Sequence, residues 1–188
     1  MVPDKELLLL GCDELIKVYD SPDYDIEHTE WNDRLIRYKN KKVQALTIGG
    51  SNEKIDWAWN FNLNTVQGLK ACNFDSVIRI LQHFNRKKDL GLYIFCHSKS
   101  GGTGARLGQI LGAMHTVCYC PAPAFETPET IEDCTLVIDP DDPVPNLGKP
   151  FLVHPDCNVV YLVDDPGLIS VKDHLIHNVK SSINSNQP

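Results

Sequence analysis

The stretch LGLYIFCHSKSGGTGARL, residues 90–107, decides the fold. Its apolar run from Leu92 to Phe95 has the length and residue types of a buried strand. The run stops abruptly at a polar segment around Ser98, and a glycine-rich turn then leads into residues with helical apolar spacing. The sequence therefore predicts a strand that turns sharply into a helix, with a serine at the corner.

Outward from this corner, short apolar segments alternate with helical patterns. Apolar spacing predicts a helix after Pro3 and further helices over 74–84, 102–115 and from about 168 or 171 to 183. A single helical turn is expected at 129–133. The predicted strands are 34–38, 43–48, 92–96, 116–120 and 135–138, with a hairpin of 151–154 and 159–163 around the turn 155–158.

This order of elements predicts an α/β fold, and a serine at a strand-to-helix corner is the arrangement by which α/β hydrolases expose a nucleophile. Short apolar strands separated by helices are typical of a largely parallel sheet with helices on both faces. The length of 188 residues suits one compact domain, which we place at residues 1–183, with a flexible tail at 184–188.

Composition excludes several classes of function. Acidic residues outnumber basic ones by 25 to 18, and the net charge of −7 argues against nucleic-acid binding. The sequence has no apolar run long enough for stable membrane insertion and no pattern of a signal peptide. Seven cysteines, an odd number without metal-site spacing, are expected to be reduced and mostly buried, which favours a cytoplasmic protein.

The order of candidate catalytic groups is informative. A serine hydroxyl becomes a nucleophile when a histidine accepts its proton and a carboxylate orients that histidine. In α/β hydrolases the chain order is serine, acid, histidine. Here Ser98 comes first, the acidic loop 139–142 follows a later strand, and His174 and His177 come last.

Several segments together resemble the class 3 (fungal-type) lipases, a family of α/β hydrolases. The family's G-H-S-L-G-G elbow resembles Cys96–Gly101, and its D-P-V-P loop matches Asp142–Pro145. The resemblance covers about residues 43–179. Its other matches are F-R-G-T/S with Ile48–Ser51, D-W with Asp56–Trp57, V-H-x-G-F with Val66–Leu69, and H-L-x-Y with His174–His177.

The resemblance implies roles for five residues. Ser98 would be the nucleophile, Asp142 the orienting acid and His174 the general base. Ser51 and the backbone N–H of Lys99 would form the oxyanion hole. The implied substrate is a carboxylic ester, either a small molecule or a lipid, and no cofactor or metal is needed.

Two departures from the family keep alternatives open. Cys96 and Ser100 replace the two glycines of the elbow. A competing elbow could centre on Ser100, and the Cys96 thiol is a third candidate nucleophile. Either a hydrolase-fold binding protein without activity, or a thioesterase or acyltransferase with the same triad, would also fit the sequence.

The remaining expectations concern packing. Trp57, Trp59 and Phe61 belong to an alternating apolar segment, and they either line an acyl-binding groove or are ordinary core. The acidic loop 139–142 is expected to be a solvated turn rather than a cation site. His97, beside the corner serine, is expected to have a hydrogen-bonded packing role.

Overall fold

The computed structural model describes residues 2–20, 31–50, 75–146, 152–162 and 176–185. Within these ranges the strands are β1 (Trp31–Tyr38), β2 (Lys41–Ile48), β3 (Leu92–His97), β4 (His115–Tyr119), β5 (Thr130–Ile138) and β6 (Asp156–Tyr161). The helices are α1 (Lys5–Tyr19), α2 (residues 75–83), α3 (Gly101–Leu111) and α4 (Ile176–Ser185).

The six strands form one sheet in the order β1-β2-β3-β4-β5-β6. β1 pairs antiparallel with β2, and every later pair is parallel. Lys39 and Asn40 connect the antiparallel pair with φ of 48° and 60°. Two consecutive positive φ angles match the right-handed twist of the strands, which explains this tight hairpin turn.

Helices cover both faces of the sheet, as the sequence predicts. On the face covered by α1 and α4, the core includes side chains such as Leu8, Leu15, Phe95, Val137 and Val179. The α2 and α3 side is sealed by Ile48, Ile80, Ile94, Leu107 and Leu136. Because the central strands are buried on both faces, they read as continuous apolar runs rather than as alternating patterns.

The contacts between α1 and α4 show which end of α1 lies beside the start of α4. Lys180 forms an ion pair with Asp13 at 2.5 Å, and Lys5 donates a hydrogen bond to the carbonyl of Asn184 at 3.1 Å. Early residues of α1 thus meet late residues of α4, so the two helices are antiparallel. The first residue of α4, Ile176, lies toward the C-terminal end of α1.

Three predictions about secondary structure are wrong, and the first two concern the end of α3 and the start of β5. α3 ends at Leu111 instead of 115, because Gly112 adopts a left-handed φ of 58° and stops the helix. Residues 129–133 are not a helical turn: they lie largely in β5, where Thr130 pairs with Asp156 of β6. Pairing with a neighbouring strand outweighs the weak local preference for a helix there.

The predicted hairpin of 151–154 and 159–163 is also absent from the described residues. Asp156 to Asn158, expected to be its turn, instead begin β6, which runs parallel to β5. Val153 forms an isolated bridge with Phe125.

The cysteine prediction is confirmed for the six described thiols, all of which are free. Five of them are buried, and Cys157 is half-buried. In the part of the chain that the structure describes, no helix is both long and apolar enough to cross a membrane.

Candidate active site

The candidate site is built around the corner between β3 and α3. β3 ends at His97, residues Ser98–Ser100 form one turn of 3₁₀ helix, and α3 follows at Gly101. Ser98 has φ of +60°. A left-handed backbone costs a residue with a Cβ about 1–2 kcal/mol, so the surrounding structure must hold this corner in place.

Three neighbouring strand ends meet at the corner. A Cβ added to Gly50, just after β2, would lie 2.5 Å from the His97 carbonyl oxygen and 2.6 Å from the Ser98 Cβ. On the other side, the Ala122 N–H, just beyond β4, donates to the Ser98 carbonyl at 3.1 Å. Ser98 therefore lies at the carboxyl edge of the parallel strands, where ligands of open α/β sheets bind.

The structure accommodates a cysteine at position 96, two residues before the corner serine. Cys96 is fully buried, and a Cβ on Gly104 of α3 would lie only 2.3 Å from its Sγ. The missing side chain at Gly104 thus makes room for the thiol between β3 and α3. The thiol lies inside the packing layer and is inaccessible to solvent, which disfavours Cys96 as a nucleophile.

The side chain of Ser100, two residues after the corner serine, is hydrogen-bonded to the backbone. The Ser100 Oγ accepts from the His97 N–H at 3.1 Å and lies within hydrogen-bonding distance of the carbonyls of Ile48 (2.9 Å) and His97 (2.8 Å). Its backbone has the ordinary helical φ of −78°. The local geometry therefore favours Ser98 over Ser100 as the corner nucleophile.

The acidic loop after β5 is not the solvated turn that the sequence predicts. Asp139 and Asp142 are 2% and 1% exposed. Asp139 accepts from the Asp141 N–H and Asp142 from the Val144 N–H, both at 2.9 Å. These short-range bonds satisfy the buried carboxylates locally, which is why the loop can turn inward. The described residues hold no cluster of side chains suited to a metal ion.

Asp142 is linked to the corner through the segment after β4. The buried thiol of Cys120 lies close to the Asp142 carboxylate. Burial, and then the nearby Asp142 charge, raise the pKa of this thiol well above its usual value. Ala122, two residues further on, holds the Ser98 carbonyl. The structure thus brings Asp142 and Ser98 to the same edge of the sheet.

Lys99 is half-buried within the first turn after the corner. The first N–H groups of a helix have no acceptor inside the helix, and they carry the positive end of its dipole. The backbone of Lys99 is consequently in a favourable setting for holding a developing negative charge next to Ser98.

The other predicted site residues lie outside the described residues. They are Ser51, Trp57, Trp59, Phe61 and His174.

Two features of the site have no clear signal in the sequence. The Tyr19 hydroxyl accepts a hydrogen bond from the Gly50 N–H at 2.7 Å and is bonded to His97 Nδ1 at 2.6 Å. Cys120, in the segment just after β4, lies close to Asp142. Both contacts join distant parts of the chain, so residue spacing could not reveal them. For His97, which is 3% exposed, the predicted hydrogen-bonded packing role is confirmed.

With this geometry in view, we compared the chain with models of protein families, with curated proteins and with solved structures, and none of the three comparisons found a match.

Proposed function

We propose that this chain is a serine hydrolase that cleaves carboxylic esters and is related to the class 3 lipases. The observation that carries the proposal is the left-handed backbone of Ser98, at the corner between β3 and α3. A non-glycine residue held in this conformation at a strand end is the geometry that raises a nucleophilic serine above a sheet.

In the proposed reaction, the Ser98 Oγ attacks the carbonyl carbon of the ester, and His174 accepts the hydroxyl proton. Amide groups at Ser51 and Lys99 hold the negative charge that develops on the carbonyl oxygen. The bond to the alcohol then breaks, and the alcohol leaves with the proton from His174. A water molecule attacks the acyl-enzyme by the same route and restores Ser98.

The environment of Asp142 supports its assignment as the orienting acid. Its carboxylate is buried, accepts a hydrogen bond from the Val144 N–H at 2.9 Å and lies close to the Cys120 thiol. A carboxylate is the group that orients and stabilises the histidine of a catalytic triad. Burial strengthens a hydrogen bond between such groups, because the local dielectric constant is low.

The packing of α4 supports the assignment of His174 as the general base. Its first residue, Ile176, lies toward the end of α1 that carries Tyr19. Tyr19 in turn contacts His97, the residue before Ser98. His174 precedes Ile176 by two residues in the sequence. The described residues that follow His174 in the sequence therefore lie toward the end of α1 that contacts the corner, which supports the proposal.

The substrate class follows from the proposed chemistry and from the family resemblance. An ester carbonyl needs only the serine, its base and two oxyanion donors, all of which this chain offers without a cofactor. Trp57, Trp59 and Phe61 are proposed to contact the acyl group of a small-molecule or lipid ester.

The test compares hydrolysis of p-nitrophenyl butyrate by the wild type, Ser98→Ala and Asp142→Asn. We expect Ser98→Ala to abolish turnover, and Asp142→Asn to lower kcat on the order of 10³–10⁴-fold. Ser181→Ala, which removes the hydroxyl of an exposed serine on α4, serves as the matched control and should retain wild-type activity. Equal hydrolysis by the wild type and Ser98→Ala would contradict the proposal.

Other outcomes distinguish the alternative functions. A folded wild type that hydrolyses neither p-nitrophenyl esters nor triglycerides, and that reacts with no fluorophosphonate, would overturn the enzyme assignment in favour of a binding protein. Faster turnover of acyl-thioesters than of oxygen esters, still dependent on Ser98, would instead indicate a thioesterase.

A further inference from the structure

The phenol of Tyr19 joins two segments of the candidate site that no strand pairing holds together. It is the last residue of α1, and its oxygen lies 2.7 Å from the Gly50 nitrogen and 2.6 Å from His97 Nδ1. The Tyr19 and His97 rings meet edge to face, with centroids 5.6 Å apart and an angle of 85°. A single side chain therefore fixes both segments at once.

These two segments carry the groups that an oxyanion mechanism must align. Gly50 immediately precedes Ser51, the proposed oxyanion donor, and His97 immediately precedes the nucleophile Ser98. The paired register of β2 and β3 ends at Ile48 and Cys96. Beyond that point the two chains need other bonds to keep their spacing, and the bond from Ser100 to the Ile48 carbonyl lies on the strand side of Gly50.

The Tyr19 bonds are not needed to dock α1 on the sheet. Leu8 and Leu15 of this helix are already in the core. The Tyr119 hydroxyl donates to the Leu8 carbonyl at 2.6 Å, and the Tyr38 hydroxyl donates to the N-cap residue Asp4 at 3.0 Å. Helix docking therefore does not explain why the Tyr19 hydroxyl lies at the site.

We propose that Tyr19 is a positioning residue that fixes the distance between Gly50 and the nucleophile Ser98. The inference rests on the proposed hydrolase function. Oxyanion donors act more strongly on the transition state than on the bound substrate, so a misplaced donor lowers kcat and leaves KM nearly unchanged. Loss of a donor costs on the order of 10²–10³ in kcat, and we expect displacement of one to cost about 10–100-fold.

The test measures kcat and KM for p-nitrophenyl butyrate with the wild type, Tyr19→Phe and Tyr38→Phe. Tyr38→Phe is the matched control, because it also removes one tyrosine hydroxyl from an α1 contact but at the opposite end of the helix. We expect the kcat loss in Tyr19→Phe alone, with KM within about twofold of the wild type. Circular dichroism and thermal unfolding show that both variants are folded.

Each result decides the matter. A Tyr19→Phe variant with wild-type kcat, with a kcat loss shared equally by Tyr38→Phe, or with a change in KM alone overturns the positioning role. If Tyr19→Phe fails to fold, its bonds are structural and the inference is also overturned. If the wild type is active and Tyr19→Phe gives one of these results, only the positioning role fails. If the wild type itself is inactive, the proposed hydrolase function fails.

Discussion

Gly50 and Ser98 approach each other so closely that a Cβ on residue 50 would lie 2.6 Å from the Ser98 Cβ. The same added atom would lie 2.5 Å from the backbone oxygen of His97, which cannot move without moving the corner. A side chain at position 50 is therefore incompatible with the observed position of Ser98. The turn after β2 and the corner after β3 are packed as one unit.

We expect Gly50→Ala to displace the corner and to lower kcat by about 100-fold or more, since small misplacements at a reacting centre have effects of this size. Overpacking should also lower the free energy of unfolding by about 1–3 kcal/mol. Gly91→Ala is the control, because its added Cβ would meet only the flexible end of Met114. Ester hydrolysis and urea unfolding of both variants check the prediction, and wild-type kcat in Gly50→Ala would refute it.

Two replacements of Ser98 measure the backbone strain at the corner independently of catalysis. We expect Ser98→Gly to unfold at higher urea concentration than Ser98→Ala, by about 1 kcal/mol, because glycine adopts the φ of +60° without penalty. Both variants should be inactive. Equilibrium unfolding measures the difference, and equal stabilities would show that the corner is unstrained.

We expect Ser100→Ala to lower the stability of the fold more than it lowers the reactivity of the site. Removal of the hydroxyl leaves the buried His97 N–H without that acceptor and releases the contact with Ile48. We expect the free energy of unfolding to fall by about 1–3 kcal/mol, while fluorophosphonate labelling is retained. Complete loss of labelling in a folded Ser100→Ala variant would instead point to the competing elbow.

Replacement of Cys96 by glycine, the residue at this position of the elbow that the sequence resembles, is expected to be harmful. The Cys96 Sγ lies 3.2 Å from the Cys118 Sγ and fills the space left by Gly104. Cys96→Gly opens a cavity in a central strand, and we expect a loss of about 1–3 kcal/mol with no gain in kcat. Thermal unfolding and ester hydrolysis test this. A more active and equally stable variant would mean that the cysteine impairs the elbow.

The sequence predicts the layers of this fold well because each depends on local patterns. The helical spacing of Leu7, Leu8 and Leu15 predicts α1, and the apolar run before Cys96 predicts β3. The predictions fail where a distant partner decides the conformation. Residues 129–133 and 156–158 have turn or helix signals, but β5 and β6 pair with each other there.

In the candidate site, too, the features set by local sequence could be predicted and the long-range contacts could not. The position of Ser98 between a strand and a helix follows from the run of residue types along the chain. The burial of Asp142, the Cys120 contact and the Tyr19 bonds arise from neighbouring elements that are far away in sequence. A single sequence carries no signal of such contacts.

The most direct test of the central claim locates the reactive side chain. The wild-type protein is treated with a fluorophosphonate, digested and sequenced by tandem mass spectrometry. We predict one covalent adduct on the Ser98 oxygen, formed more slowly when Asp142 is replaced by Asn. An adduct on Ser100 or Cys96, or no adduct in a protein shown to be folded, would contradict it.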